Sequence, residues 1–484
     1  MLVGIAVLGM AAGPGSAATP RVPHIVQVAN REANARIVRA EQRRGTPILH
    51  VYKNVLVGFA ARLSPSDIAR LRRTPAVRRV WRDTRLVPTQ VLERRTTATG
   101  LWGLDRIDQR DPPPDGRIVT DSNGAGVDAY VVDSGIRRGQ EQFSGRLLGG
   151  FTAIDDGRGT EDCNGHGTRV AGVVGGSETG VAPAVWLIPV RVMDCAGAGD
   201  SASLIAGLDW VVVDHKAGAP AVANISLVGP FSPLINDAVD AVVADGVTVV
   251  VAAGNSPVDA CRMSPSSAPS AIAVAAMTQQ DTAATFSAWG SCVRIYAPGD
   301  NVLTTATAPS GRKAASQLTY ASGTSISSAF VSGGAALALA LNRGLSPGQV
   351  AQALTSTATL GVLGDVPAGT PNRLLYVDSS AAAQQAPLPA VTYPRVFSHL
   401  QARFTPRSSR AKRIGRFRVS GGTTLAGVLT VTRAGRMVSR RYVAPGAFAF
   451  RTRTARRISV LRIQLVPDDP ARTAPSALIR VRGD

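Results

Sequence analysis

Several features are scarce in this chain of 484 residues, and each scarcity narrows the possible functions. Beyond the first 18 residues we find no segment of about 18 to 20 uncharged apolar residues, the length that a helix needs to span a bilayer. Histidine occurs only five times, so an imidazole general base must come from a short list: His24, His50, His166, His215 and His399. We therefore expect no membrane span and few candidate catalytic bases.

Cysteine is also rare, with four residues at positions 163, 195, 261 and 292. No Cys-x-x-Cys spacing of the kind found in zinc sites is present, and an even count fits an oxidising compartment. Three pairings are possible; Cys163 with Cys195 and Cys261 with Cys292 would each close a loop of roughly 30 residues and contribute about 3 to 4 kcal/mol. Four buried free thiols are the alternative.

Positive charge dominates the chain, at +20, but its distribution is uneven. Residues 19–96 carry +12 and residues 386–484 carry +17, whereas residues 97–385 carry −9. Only four of the 53 basic residues are Lys, and such a bias towards Arg is as easily explained by the nucleotide composition of the gene as by binding. The sequence therefore does not favour a nucleic-acid partner.

The pattern along the chain predicts several modules. An apolar run followed by small residues makes 1–18 a candidate signal segment, although no basic residue precedes the run, and we expect a secreted product. Residues 19–96 alternate as strand, helix, strand, strand, helix, strand, which predicts a small α+β, ferredoxin-like module. Residues 97–383 alternate buried strands with helices and predict an α/β domain with a parallel sheet. A linker, 384–396, precedes a basic β-rich domain, 397–484.

Four polar residues lie at the ends of predicted strands or near the starts of predicted helices, positions that a parallel sheet would bring together at one edge. Asp133 ends an apolar run, Asn255 follows another, and His166 lies between two glycines at the start of a helical segment. Ser325 precedes an apolar helix, whose N-terminal N–H groups suit a developing oxyanion. Taken singly, each of these is an ordinary turn or cap residue.

Together, four segments in this order resemble the signature segments of the subtilisin-like serine peptidases: YVVDSGI at 130–136, NGHGT at 164–168, AAGN at 252–255 and SGTSIS at 322–327. Further segments, at 105–111, 162–166, 192–195 and 371–375, are similar to the proteinase K and aqualysin branch. The resemblance covers roughly residues 101–377, and residues 23–85 resemble the family's inhibitory propeptide.

This resemblance implies a secreted serine endopeptidase that hydrolyses peptide bonds in proteins through an acyl-enzyme. Asp133, His166 and Ser325 would form the catalytic triad, and Asn255 with the Ser325 N–H would form the oxyanion hole. Substrate would be bound by three segments: Gly197, Ala198, Gly199, Ser226, Leu227, Val228, Ala252, Ala253 and Gly254. We expect a monomer without a catalytic cofactor, made as a zymogen that removes its own propeptide between about Glu93 and Gly100.

The chain also departs from the family pattern. Val228 and Pro230 stand where Gly is usual, which predicts a bulkier cleft wall and a narrower substrate preference. Thr278 replaces a calcium-binding Asp of some relatives, and we find no dense acidic cluster, so a structural calcium ion is left without an assigned site. Asp200 could favour a basic residue several positions before the cleaved bond.

Two other functions stay open at this point. A non-catalytic protein could keep the fold and bind an anionic partner through its basic C-terminal domain. An esterase of the α/β-hydrolase type would need Gly-x-Ser-x-Gly, which Ser325 lacks, and a late His, for which only His399 is available.

Overall fold

The computed structural model describes residues 20–88, 101–112, 115–116, 118–306 and 318–377, and the backbone of seven strands between 397 and 480. The expected signal segment, the 93–100 interval and the linker at 384–396 lie outside the described residues. Chain contacts divide the protein into two compact units: Met1–Lys53 with Val57–Asp83, and Asn54–Leu56 with Thr84–Asp484.

The first unit has the expected βαββαβ order. Its elements are β1 (Val22–Val28), α1 (Arg31–Arg43), β2 (Ile48–Tyr52), β3 (Gly58–Leu63), α2 (Pro65–Arg72) and β4 (Val77–Arg82). The strands form an antiparallel sheet in the order β2-β3-β1-β4. Ile37, Phe59 and Leu71 are buried between the helices and the sheet. The ferredoxin-like α+β module is thus confirmed.

The second unit begins with a short strand and continues as an α/β domain. Its elements are β5 (Arg85–Pro88), α3 (Trp102–Ile107), β6 (Asp128–Asp133), β7 (Phe151–Thr152), α4 (His166–Gly175), β8 (Trp186–Arg191), β9 (Gly199–Asp200), α5 (Ser201–Asp214), β10 (Ala221–Ile225), β11 (Leu227–Pro230), α6 (Pro233–Ala244), β12 (Thr248–Ala252), β13 (Met263–Ser264), β14 (Ile272–Met277), β15 (Val293–Pro298), β16 (Val302–Thr305), β17 (Leu318–Ala321), α7 (Thr324–Leu341), α8 (Pro347–Thr357), β18 (Thr359–Leu360) and β19 (Arg373–Leu374).

Nine strands form the central sheet in the order β18-β19-β15-β14-β12-β10-β6-β8-β7. All the pairings are parallel except that of β18 with β19. The residues of β10, β12 and β14 are buried throughout, as expected for strands that are covered on both faces. The parallel α/β sheet predicted for this part of the chain is confirmed, and its carboxyl edge is where a ligand site is expected.

Helix α7 runs through the core and contacts β10, β12, β14 and α4. It is also the one helix among the described residues that is long and apolar enough to cross a membrane, and 83% of it is buried inside the fold. This corrects the sequence-based statement that no such segment exists beyond residue 18. The run is apolar because all sides of α7 face protein, as in the core helix of a globular domain.

The last part of the described chain consists of strands, as expected. They are β20 (Phe397–Pro406), β21 (Gly415–Thr423), β22 (Gly427–Arg433), β23 (Arg436–Val443), β24 (Gly446–Thr454), β25 (Val460–Pro467) and β26 (Ala477–Arg480). They form two antiparallel sheets, in the orders β20-β21-β24 and β23-β22-β25-β26.

Candidate active site

Three polar side chains meet at the carboxyl edge of the central sheet. Asp133 is the last residue of β6, His166 the first of α4 and Ser325 the second of α7. His166 Nδ1 lies 2.8 Å from Asp133 Oδ1 and 2.9 Å from Oδ2, and His166 Nε2 lies 3.0 Å from Ser325 Oγ. Because the carboxylate only accepts, Nδ1 donates and Nε2 is left as the acceptor for the Ser325 hydroxyl. A proton can pass from the hydroxyl to the ring.

The site is shielded from solvent, since the exposed fraction of Asp133 and Ser325 is 0% and that of His166 is 3%. A carboxylate in such a place is costly unless its oxygens are bonded. Asp133 meets this condition because its Oδ1 also accepts from the Ser134 N–H at 2.7 Å. Both carboxylate oxygens are thereby held, and they hold the imidazole in one orientation.

Asp162 organises the loop that leads into His166. Its Oδ1 accepts from the Asn164 N–H at 3.0 Å and the Gly165 N–H at 2.7 Å, and its Oδ2 accepts from the Thr168 N–H at 2.9 Å. The Ser134 hydroxyl donates to the same carboxylate at 2.9 Å, which joins this loop to the end of β6. Asp162 therefore fixes His166 relative to Asp133 although it touches neither ring nor nucleophile.

Glycine at position 167 is required by close packing. A Cβ at Gly167 would lie 2.2 Å from the Gly135 carbonyl oxygen and 3.0 Å from Asp133 Oδ1. Those contacts are with backbone and with the carboxylate of the site, so neither can move aside cheaply. The Gly-His-Gly sequence thus allows α4 to approach the end of β6 closely enough for His166 to reach Asp133.

Asn255 lies beside Ser325 and is held by Thr324. The Thr324 N–H and hydroxyl both donate to Asn255 Oδ1, at 2.8 Å each, and the Gly254 N–H donates to the Thr324 hydroxyl at 3.1 Å. These bonds turn the amide oxygen towards Thr324, so the NH₂ group is directed to the other side. This is the orientation in which Asn255 can act as a donor to a developing negative charge.

Strands β9 and β11 form the two sides of a groove, and β5 lies between them and pairs with both. In β11, Leu227 pairs with Pro88 and Val228 with Val87; in β9, Gly199 pairs with Leu86, all antiparallel. Two of the three segments predicted to bind substrate are therefore the neighbours of an extended chain segment. The third segment, Ala252 to Gly254, ends β12 and leads into Asn255.

The departures at Val228 and Pro230 leave room for β5. Both residues lie in β11, where Val228 is buried and Pro230 pairs with Met263 of β13 on the side away from β5. The side chain of Leu86 fits against Gly229, where a Cβ would lie 2.5 Å from Leu86 Cδ2.

Both disulfide pairs considered from the sequence are formed, Cys163 with Cys195 and Cys261 with Cys292. The first lies beside an ion pair in which the buried Arg191 donates to both oxygens of the exposed Asp156, at 2.7 and 2.6 Å. These hydrogen bonds lower the pKa of Asp156 to about 2. Asp156, Cys163 and Cys195 are close enough to hold a metal, but the two sulfurs are bonded to each other and the carboxylate is paired with Arg191.

Three carboxylates gather near α3 that the sequence analysis did not recognise as a cluster. Asp105 accepts from the N–H groups of Asp115 and Gly116, and Asp108 accepts from the Val119 N–H. Burial raises the pKa of Asp108, and the charges of Asp105 and Asp115 raise it further. Calcium prefers oxygen ligands, but the carboxylate oxygens of these three residues are not close enough to one another to hold an ion together.

The structure brings together every residue predicted for the triad and the oxyanion site, and it adds two residues and one strand that were not predicted from the sequence. Asp162 and Thr324 position catalytic candidates through hydrogen bonds, and the short strand β5 fills the groove. Asp162 had a usable local signal, since an Asp two residues before Asn-Gly is typical of an Asx turn. The partners of Thr324 and β5 are distant in sequence and left no such signal.

Comparisons with known proteins agree with this geometry. A model of the subtilase family matches residues 124–386, and a model of the peptidase inhibitor I9 family matches residues 16–87. An extracellular serine proteinase of Thermus sp. (strain Rt41A) is 43% identical over 73% of this chain and 83% of its own length. Alkaline serine exoprotease A of Vibrio alginolyticus is 40% identical over 67% of this chain and 59% of its own length. Among solved structures, a cold adapted subtilisin-like serine proteinase is similar with 41% identity and a TM-score of 0.54, over 58% of this chain and 99% of that one.

Proposed function

The chain belongs to the subtilase family and is a subtilisin-like serine protease with an I9-type propeptide, and from this premise we propose that Asp133, His166 and Ser325 are its catalytic triad. The observation that carries the proposal is the continuous hydrogen-bonded path from the Asp133 carboxylate through both nitrogens of His166 to Ser325 Oγ. The reaction is the hydrolysis of internal peptide bonds in proteins, and no catalytic cofactor takes part in it.

In the first half-reaction, Ser325 Oγ attacks the peptide carbonyl while His166 Nε2 takes the hydroxyl proton. The carbonyl oxygen becomes an oxyanion that accepts from the Asn255 NH₂ and the Ser325 N–H. The bond to nitrogen then breaks, His166 gives its proton to the departing amine, and the substrate carbonyl remains as an ester on Ser325. Asp133 keeps the ring in one tautomer and stabilises its cation.

In the second half-reaction, water replaces the amine. His166 takes a proton from the water as it attacks the ester, the same two donors hold the oxyanion, and the proton returns to Ser325 Oγ. Because the oxyanion forms in both halves, its donors contribute to both barriers.

We propose that substrate binds as β5 does, as an extended strand between β9 and β11. Pairing through the main chain gives affinity that depends little on sequence, which suits a protease that acts on many proteins. In the precursor β5 occupies this groove, so the propeptide blocks the site until the chain is cut. The opposite charges of the propeptide region, +12, and the catalytic region, −9, favour association.

Secretion, a monomeric state and self-processing complete the proposal. The named extracellular relative and two disulfides support an oxidising, extracellular location. The main rival, a non-catalytic binding protein with the same fold, would have no use for Asn255 and Ser325 in this arrangement.

A Ser325→Ala variant of the full chain tests the function, with Ser356→Ala on the exposed face of α8 as the matched control. We expect the wild type and the control to hydrolyse casein, to react with an active-site serine reagent at Ser325 and to release a mature-size fragment. The Ser325→Ala chain should do none of these in a protease-free host. A wild-type chain that the reagent does not label would favour the binding protein, and a mature fragment from Ser325→Ala would exclude self-cleavage.

A further inference from the structure

Helix α7 is apolar along most of its length, but it carries buried hydroxyl groups on the side that meets strand β10. Ser325, Ser328 and Ser332 are spaced by three and then four residues, so they lie on one face of the helix. These residues and Ser226 are 0% exposed, and Asn224 in β10 is 1% exposed. Burial of a polar side chain is costly unless it is hydrogen-bonded, so the partners of these groups are informative.

The hydrogen bonds between these side chains run in one direction, towards the nucleophile. The Ser332 hydroxyl donates to Asn224 Oδ1 at 2.9 Å, and Asn224 Nδ2 donates to Ser226 Oγ at 2.7 Å. Since Ser226 Oγ accepts from Asn224, its own proton is directed at another acceptor. Two acceptors are within reach, the Ser325 carbonyl oxygen at 3.4 Å and Ser328 Oγ at 3.2 Å. We call this set the Asn224 network: Asn224, Ser226, Ser328 and Ser332.

The Asn224 network ends on the main chain of the nucleophile. The Ser328 hydroxyl donates to the Ser325 carbonyl oxygen at 2.9 Å, so two hydroxyl groups converge on that oxygen. Connected hydrogen bonds in a core polarise one another, and the low dielectric constant there strengthens each of them. Asn224 therefore acts on Ser325 through two intervening hydroxyl groups.

The carbonyl group of Ser325 matters for the chemistry because its direction fixes the backbone rotation at that residue. Ser325 is the second residue of α7, in the first turn, where the N–H groups lack partners within the helix. The same backbone places Ser325 Oγ 3.0 Å from His166 Nε2 and directs the Ser325 N–H to the proposed oxyanion. A misplacement of about 1 Å in such a group can slow a reaction about a hundredfold.

We propose that Asn224 is a positioning residue for the nucleophile, acting through the hydroxyl groups of Ser226 and Ser328 on the Ser325 carbonyl group. This inference rests on the proposed function. Apolar side chains at these positions would avoid the cost of burying polar groups, but apolar contacts are non-directional and would not aim the carbonyl. Ser226 also precedes β11 directly, so the Asn224 network joins one side of the groove to the nucleophile.

Replacing Ser328 with Ala tests the last step of the network, because it removes the shorter bond to the Ser325 carbonyl and keeps a good helix former in α7. We expect kcat on a chromogenic peptide, per active site titrated with a serine reagent, to fall about fivefold, while KM stays within about twofold.

Ser327→Ala is the matched control. Ser327 is equally buried, one residue before Ser328, and its hydroxyl donates to the Pro298 carbonyl oxygen at 3.3 Å. Both variants lose one buried hydrogen bond to a carbonyl group, so both should lower the thermal midpoint of unfolding by a similar amount. Only Ser328→Ala should lower kcat; Ser327→Ala should change it by less than about twofold. Equal kcat values for the two variants would overturn the proposal.

The part played by Asn224 is measured by adding changes to Ser328→Ala. Asn224→Asp keeps the shape and the acceptor for Ser332, but it presents a carboxylate oxygen to Ser226, whose proton then turns away from Ser325. We expect kcat to fall about tenfold in the otherwise wild-type chain and less than about twofold further in the Ser328→Ala chain, because both changes act on one carbonyl group.

Ser332→Ala gives the same test without a buried charge, so it also serves if the Asp variant does not fold. It releases Asn224 Oδ1 and should lower kcat about threefold alone and less than about 1.5-fold in the Ser328→Ala chain. Full additivity of either change with Ser328→Ala would refute the role of Asn224. If that occurs in a chain that reacts with the serine reagent and hydrolyses casein, only this inference fails; a wild type that does neither removes the proposed function.

Discussion

Replacing Thr324 with Val would show how strongly catalysis depends on the orientation of Asn255. The Thr324 hydroxyl donates to Asn255 Oδ1 and accepts from the Gly254 N–H, while the Thr324 N–H makes a further bond to the same amide oxygen. Valine has nearly the same shape but no hydroxyl, so two of these three hydrogen bonds are lost. The hydrogen bond from the residue 324 N–H to Asn255 Oδ1 remains, so the Asn255 side chain is held less firmly but is not free to turn away.

The size of the effect follows from this count. One neutral hydrogen bond contributes about 1 kcal/mol, so weakening the hold on Asn255 by that amount should lower kcat about fivefold. KM should change little because the oxyanion exists only in the transition state. The buried Gly254 N–H loses its acceptor in the variant. This loss should lower the free energy of unfolding by about 1 to 3 kcal/mol, an effect that is measured separately from kcat.

A double-mutant cycle separates positioning from direct participation. Asn255→Ala should lower kcat about 10²- to 10³-fold, a magnitude established on subtilisin itself. Adding Thr324→Val to Asn255→Ala should cost less than about a further twofold, because Thr324 acts through Asn255. Thr324→Ser keeps the hydroxyl and should restore kcat to within about twofold of wild type.

The assay is hydrolysis of a chromogenic peptide, with the active enzyme counted by titration of Ser325 with a serine reagent. If Thr324→Val costs the same fivefold with and without Asn255, Thr324 does not act by holding the amide and the reasoning is wrong. The same conclusion would follow if the Ser variant were as slow as the Val variant.

Three further substitutions test other parts of the site. Gly167→Ala should reduce activity severely, because the new Cβ would lie 2.2 Å from a backbone oxygen, and near-normal kcat would refute that packing argument. Asp156→Asn should lower the thermal midpoint because it removes the negative charge that pairs with the buried Arg191. The folded-state pKa of Asp156, about 2, is below its usual value of 3.8, so the stability that the carboxylate adds is present above about pH 4 and is lost as the pH falls from 4 to 2. Unfolding curves of the variant should lack this pH-dependent component. Asp200→Asn keeps the oxygen that caps α5 but removes the charge opposite Arg85. Cleavage of library peptides with a basic residue several positions before the bond should then fall by about two- to fivefold, and only at low salt; an unchanged preference would end that hypothesis.

Most of the catalytic candidates could be predicted from the sequence because each carries a local signal. Asp133 and Asn255 follow buried apolar runs, and a run of that kind is a strand whose carboxyl end lies at a known edge of the sheet. His166 opens a helix between glycines. Helix α7 was expected to follow Ser325 but begins at Thr324, so Ser325 lies inside its first turn rather than before it.

Other elements were not predicted, some of them despite a local signal and some because they depend on contacts elsewhere in the chain. Helix α8, at Pro347–Thr357, has a Ser capping box and a Pro at its start, signals that could have been recognised. Asp105 and Asp108 are adjacent in sequence to the acidic stretch that follows them, but their convergence with Asp115 depends on how the intervening turn folds.

Strand β5 shows most clearly what local sequence patterns could not predict. Its four residues, Arg-Leu-Val-Pro, have no strand periodicity and end in a proline, which donates no hydrogen bond to a sheet. They are extended because β9 and β11 each present an edge with main-chain groups to pair, and those edges lie more than a hundred residues away. The local pattern therefore predicted an exposed connection after Pro88 but gave no sign that the four residues before it pair as a strand between β9 and β11.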